Sequence, residues 1–152
     1  MIGVVQRVIE ARVTVNGEVV GRIDRGLAVL LSVHADDSPA DVAWTAGKLA
    51  SLRILPEADK HYHLDVTEAR GAILLISNFT VAAVTRQGRR PSFDAAAKGD
   101  AGQKLFDSLV SALRAAGVRV ETGQFGADML VHIVNDGPAT FIVDSREARA
   151  KA

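Results

Sequence analysis

Apolar and polar residues alternate with a period of two near the start of the chain, where Val13 and Val15 are interleaved with Arg12 and Thr14. With the β-branched residues of 2–8, this predicts strands over 2–8 and 11–15. Asn16-Gly17 follows, a hairpin signal because both residues tolerate positive φ in a type I′ turn. A return strand is predicted over 18–23, a turn at Asp24-Arg25-Gly26, and a buried strand in the apolar run 27–33. The period then changes. Ser38 is a good N-cap, Pro39 suits the first helical position, and Asp41 lies three residues after the cap. Val42, Ala46, Leu49 and Leu52 mark one face of that helix. A second helix is predicted from Asp100, with Gln103 completing a capping-box-like pair. Leu105, Leu109 and Leu113 recur every four residues beside Phe106 and Val110, and Gly117 supplies the stop. Further strands are expected over 72–80, 118–122, 130–135 and 140–143. The sum is an α/β fold, a mixed and strongly curved, barrel-like sheet with two main helices, in a single domain over 1–152.

Composition narrows the function more by exclusion than by assertion. The chain has 152 residues, 48% apolar and 24% charged, an ordinary globular balance. It contains no cysteine, which excludes disulfides, thiolate metal sites and a cysteine nucleophile. Neither a secretory leader nor a membrane span is legible, so a soluble cytoplasmic protein is expected. Eighteen basic residues balance eighteen acidic ones, so any nucleic acid must be met by a local patch.

The common catalytic signatures are missing: no Gly-x-Ser-x-Gly elbow, no Walker loop, no Gly-x-Gly-x-x-Gly and no His-Glu-x-x-His. His61-Tyr62-His63 reads as a solvated loop, and His34 and His132 as structural or surface residues. Two segments stand out. At Ser77-Asn78-Phe79-Thr80 an apolar strand turns polar, which either lines a cleft or satisfies local backbone. Asn135-Asp136-Gly137-Pro138 is a turn on composition alone. Between them Arg86-Gln87-Gly88-Arg89-Arg90-Pro91 puts three arginines within five residues, suited to phosphates or to a solvated loop.

Four blocks together carry a resemblance: Gln6-Arg7-Val8, the run from Arg86 through Phe93, Glu121 through Met129, and Asn135 through Phe141. In this order, over nearly the whole chain, they resemble the D-aminoacyl-tRNA deacylase family. Its two signatures, Ser-Gln-Phe-Thr and Gly-Pro-Val-Thr, stand here as Ser77-Asn78-Phe79-Thr80 and Gly137-Pro138-Ala139-Thr140. The resemblance implies an enzyme that hydrolyses the ester of mischarged D-aminoacyl-tRNA, and of glycine mischarged onto the alanine tRNA. It implies a homodimer in which a Gly-cisPro motif, Gly137-Pro138, enters the partner's site and excludes L-amino acids with its main chain. It further places Ser77, Asn78, Phe79 and Thr80 in the catalytic pocket, with backbone amides as oxyanion donors. Arg7 would buttress the motif, Phe125 and Met129 would lie near the pocket, and Arg86, Arg89 and Arg90 would hold tRNA. No metal, cofactor, membrane or DNA is expected. The chain departs from the family at Asn78 (usually Gln), at Ala139 (usually Val) and at Tyr62-His63, where Met-Asn is usual. A non-catalytic tRNA- or ribosome-binding module, and an esterase using Thr80 as nucleophile, are the alternatives.

Overall fold

The computed structural model describes residues 1–86 and 88–149. The chain opens with one long strand, β1 (Ile2–Val15), rather than the two that were expected. It stays continuous because it has partners along both edges. One edge pairs with β3 (Gly26–Ser32) over the first half and β2 (Glu18–Ile23) over the second. The other pairs with β8 (Leu130–Asp144). Asn16 and Gly17, at φ 50° and 85°, form the hairpin turn between β1 and β2. β6 (Ala72–Ser77) then runs parallel to β3, and β7 (Val120–Thr122) parallel to β6.

The sheet is mixed and curls until its ends nearly meet. A Cβ on Gly21 of β2 would lie 2.1 Å from the carbonyl oxygen of Thr122 on β7, so glycine permits the two strands to approach. Both faces of the central strands are buried. Leu27, Val29, Leu31, Ile73 and Leu75 point to the helices, and Ala28, Ala72, Leu74 and Ile76 to the barrel interior. That double burial is why 27–33 and 72–77 read as unbroken apolar runs.

The helices cover the outer face. α1 (Pro39–Ser51) starts as expected, with the Ser38 N–H donating to Asp41 Oδ2 at 2.9 Å. Its Val42, Ala46 and Leu49 are buried, while Leu52 is the C-cap. α2 (Gly99–Ala115) begins one residue before Asp100, with Lys98 as the cap and no side-chain capping bond, so the expected pairing with Gln103 does not set its start. Gly117, at φ 82°, ends it. A short third helix, α3 (Arg146–Arg149), was not anticipated. It brings Arg149 Nε to Asp41 Oδ1 at 2.9 Å, and Ser145 Oγ donates to the same oxygen at 2.8 Å. Burial pushes the Asp41 carboxyl upward, but the donors from Arg149, Ser38 and Ser145 outweigh it and hold the group well below the carboxylate range.

Four other expectations change. The strand predicted over 72–80 stops at Ser77 and gives way to a 3₁₀ turn, Phe79–Ala82. The strand predicted from 118 begins at Val120. The segment 61–63 is not a loop but part of β5 (Lys60–Leu64), paired with β4 (Leu55–Glu57) in a separate two-stranded sheet, with His63 Nε2 3.2 Å from Glu57. The strands predicted over 130–135 and 140–143 are both parts of β8, joined through an extruded turn that shapes the site. No helix among the described residues is long and apolar enough to cross a membrane.

Candidate active site

Parallel strands leave a crevice beyond their carboxyl ends, a common place for ligands in α/β sheets. Here a cavity of about 630 Å³ opens at the ends of β3 and β6. Ser77 is the last residue of β6, and the Asn78 N–H still donates to the Leu31 carbonyl of β3 at 2.8 Å. The chain then turns. Asn78 Oδ1 caps the 3₁₀ turn, accepting from the Thr80 N–H at 3.1 Å and from the Thr80 hydroxyl at 2.5 Å. The amides of Asn78 and Thr80, both candidate oxyanion donors, are therefore already engaged. Among the described residues the Phe79 N–H has no such acceptor.

Ser77, Asn78, Phe79 and Thr80 all line the cavity, as do Phe125 and Met129 from the segment after β7. Phe79 is 57% exposed and meets Phe93 edge to face, with centroids 5.1 Å apart. Phe125 packs against Phe106 of α2 at 5.8 Å. The N-terminal turn of α2 also borders the cavity through Lys98 and Gly99, bringing a positive helix end and an ammonium group to its rim. Among the described residues Asp128 is the only carboxylate of the lining, and no histidine belongs to it.

Arg86, Arg89 and Arg90 are exposed on a loop closed at its base by Val84 and Ser92, which exchange backbone hydrogen bonds of 2.9 and 3.0 Å. Gln87 lies outside the described residues. Phe93, next after Ser92, connects this base to the cavity mouth.

Gly137 and Pro138 do not line this chain's cavity. Gln6 pairs with Thr140 and Val8 with Asn135, so four residues of β8, 136–139, stand opposite the single residue Arg7. The surplus is extruded as a turn, with Gly137 and Pro138 exposed and their peptide bond cis. Arg7, only 5% exposed, braces the turn from beneath. Its Nε donates to the Asp136 carbonyl at 3.0 Å and lies 3.0 Å from that residue's carboxylate. Its Nη1 donates to the Ile54 carbonyl at 3.0 Å and the His61 carbonyl at 2.8 Å. Asn135 Nδ2 spans the base of the turn, reaching the carbonyls of Arg7 (2.9 Å) and Ala139 (3.1 Å). A Cβ at position 137 would fall 2.6 Å from Asn135 Oδ1, so the clamp itself favours glycine there.

Sequence reasoning passed over Asn135, Tyr62 and Phe93 as individual residues. For Tyr62 the signal was a period-two trio, His61-Tyr62-His63, that fits a strand. The histidines stay apart from the cavity: His132 Nε2 lies 3.2 Å from Glu10 on the surface, and His34 is buried. No group of three or more metal-ligating side chains occurs among the described residues.

The family model described as D-Tyr-tRNA(Tyr) deacylase matches residues 4–144. A D-aminoacyl-tRNA deacylase of Geobacter metallireducens is 51% identical over 148 residues, covering 97% of this chain and 98% of the relative. One from Kineococcus radiotolerans is 52% identical over 146 residues, covering 95% of this chain and 100% of the relative. Among solved structures, a c-Myc DNA unwinding element binding protein superposes with a TM-score of 0.89 at 34% identity, covering 95% of this chain and 98% of that one. A probable eukaryotic D-amino acid tRNA deacylase shares the fold with a TM-score of 0.80 at 20% identity, covering 94% and 98%. On sequence and fold alike, the chain belongs to the D-Tyr-tRNA(Tyr) deacylase family.

Proposed function

We propose that this protein hydrolyses the ester of D-aminoacyl-tRNA in the cavity at the ends of β3 and β6. The observation that carries the mechanism is the state of Thr80. Its hydroxyl proton goes to the amide oxygen of Asn78, which is no general base, and no histidine among the described residues lines the cavity. A covalent threonine route is therefore poorly supported. An aminoacyl ester on ribose is already activated, and the neighbouring 2′-hydroxyl of the terminal adenosine can assist attack by water. The protein then has to orient the ester and stabilise the oxyanion. The Phe79 N–H is the available donor, and a donor of that kind typically contributes about 2.7–4 kcal/mol. In this role Asn78 holds Thr80 and shapes the turn, which the shorter side chain does without reaching substrate.

The selectivity reading places Gly137-Pro138 in the site of a second copy. Three features support it: the turn is exposed, it lies outside its own chain's cavity, and exposed apolar residues lie along the two strands that meet at it, β1 and β8. Leu130 is 78% exposed and Ile142 61% on β8, Ile9 is 61% exposed on β1, and Val131, 37% exposed, lines the cavity wall. A homodimer would cover these residues and bring the turn of one subunit to the cavity of the other. Main-chain carbonyls would then hold the α-ammonium group, and the space left would admit a D side chain and exclude an L one. Glycine has no Cβ to exclude, so glycyl-tRNA on the alanine tRNA is a further expected substrate. Arg86, Arg89 and Arg90 would hold tRNA phosphates.

Purified protein should release D-tyrosine from D-tyrosyl-tRNA, and much more slowly from tRNA ending in 2′-deoxyadenosine. Binding without hydrolysis of the first would make the chain a tRNA-binding module. A Thr80→Ala variant without activity, together with a trapped acyl-enzyme in the wild type, would restore the covalent route. For the dimer, a Gly137→Trp chain mixed with a chain blocked near Phe79 should regain up to half the activity per dimer. No recovery after confirmed subunit exchange would place the motif in its own chain's site.

A further inference from the structure

Tyr62 is the single tyrosine of the chain, and it stands on β5. Its side chain is 52% exposed, yet three contacts hold it. The Arg7 guanidinium carbon lies 5.6 Å from the ring centroid, a cation–π distance. Phe141 of β8 meets the ring edge to face at 6.0 Å and 87°. The hydroxyl donates to the carbonyl oxygen of Pro138 at 2.8 Å. Arg7 in turn ties the β4–β5 hairpin to the sheet through the Ile54 and His61 carbonyls, so the base that carries Tyr62 is fixed by the same side chain that holds Asp136.

The extruded turn is thus gripped at three successive places. Arg7 takes the Asp136 carbonyl, Tyr62 the Pro138 carbonyl, and Asn135 the Ala139 carbonyl. Arg7 and Asn135 hold the base of the turn through part-buried hydrogen bonds. Tyr62 works at the exposed tip, on an atom that the proposed selectivity mechanism uses. A carbonyl oxygen has two lone pairs, and a phenol donating to one leaves the other free.

We propose that Tyr62 is a positioning residue for substrate selection: its phenol fixes the direction of the Pro138 carbonyl and leaves that oxygen able to accept from the α-ammonium group of the D-aminoacyl end. This rests on the selectivity role of Gly137-Pro138 proposed above. A side chain without a hydroxyl at this position leaves the carbonyl with no such donor. The rest of the brace, Arg7 and Asn135, does not reach Pro138, so the hydroxyl adds order at the tip that no other described contact supplies.

Tyr62→Phe removes the hydroxyl and keeps the ring against Arg7 and Phe141. Its KM for D-tyrosyl-tRNA should rise about three- to tenfold, the range for one net hydrogen bond, with Tm and kcat near wild type. Tyr62→Leu also removes the ring contacts and should lower Tm. Because there is one tyrosine, growth on 3-fluorotyrosine places a single ¹⁹F label at the site. Titration with the non-hydrolysable amide of D-alanine on 3′-amino-3′-deoxyadenosine should shift that resonance, and the L isomer at the same concentration should not. Absence of D-tyrosyl-tRNA hydrolysis by wild-type protein would defeat the proposed function itself. Given an active wild type, a Tyr62→Phe protein with unchanged or lower KM overturns the positioning role. So does a fluorine signal that ignores the D analogue, or a Tyr62→Phe protein that loses Tm and kcat in step, as a mere structural prop would.

Discussion

Replacing Arg7 with methionine keeps most of the side chain's length and its apolar stem but removes the guanidinium. Three carbonyls, of Asp136, Ile54 and His61, lose their charged donor at once. The carbonyl of Ile54 is the most costly of them, because the contact is buried and water cannot easily substitute. Hydrogen bonds to a charged group contribute about 1.5–3 kcal/mol each, but removing the guanidinium also removes its own desolvation cost, and the Asp136 carboxylate, 41% exposed, can rehydrate. A net loss of about 2–4 kcal/mol follows, or roughly 5–15 °C in Tm for a chain of this size. Chemical denaturation followed by circular dichroism would measure it. Arg7→Lys keeps the charge but not the fork that serves two sides at once, so it should recover only part of the loss. The functional effect should exceed the thermal one: well below the new Tm, kcat/KM for D-tyrosyl-tRNA should still fall at least about tenfold, since Arg7 is the residue opposite the extruded turn. An Arg7→Met protein within about 0.5 kcal/mol of wild type, or one fully active when folded, would refute the bracing role.

The same structure sets three further outcomes. A Cβ on Gly26 would sit 1.9 Å from the Ala72 carbonyl oxygen, so Gly26→Ala should cost about 3 kcal/mol or more, read as a fall in Tm or loss of soluble protein; a wild-type Tm would contradict that approach of β3 and β6. Burial, and then Arg146, lower the pKa of His34, whose Nε2 has no partner among the described residues. The folded state therefore binds that proton less readily than the unfolded chain, so the stability due to the neutral ring is complete above about pH 6.5 and is lost as pH falls below it. His34→Leu should flatten the dependence of the urea midpoint between pH 7.5 and 5, and an unchanged dependence would assign the effect elsewhere. Changing Arg86, Arg89 and Arg90 together to Ala should reduce the salt slope of tRNA affinity by about 2–3, and an unaltered slope would move the RNA surface off this loop.

Most of the fold was legible where one physical cause dominated. The Asn16-Gly17 turn and the start of α1 at Pro39 follow from local backbone chemistry, and both occur where the sequence places them. The buried runs of β3 and β6 were legible because burial on both faces demands uninterrupted apolar residues. What escaped depended on a partner distant in sequence. Nothing local in Asn135-Asp136-Gly137-Pro138 says that the turn interrupts one strand rather than separating two; the register against β1 decides it. The strand expected to run through Thr80 stops at Ser77 because Asn78 Oδ1 takes the Thr80 N–H into a cap. The three-residue reach of β4 gave too little pattern to pair with β5, so Tyr62 read as loop. The candidate site divides in the same way. Its residue types were readable, whereas the engagement of the Asn78 and Thr80 amides, and the triple grip on the 136–139 turn, are matters of distance.

The central claim, that this protein is a hydrolase of aminoacyl-tRNA that reads chirality with main chain, has one direct measurement. Initial rates of deacylation should be compared on a single tRNA charged in turn with D-tyrosine, L-tyrosine and glycine. Hydrolysis of the D-tyrosyl and glycyl esters, with L-tyrosyl-tRNA left at its spontaneous rate, is the predicted result. Equal hydrolysis of the D- and L-tyrosyl esters would contradict it.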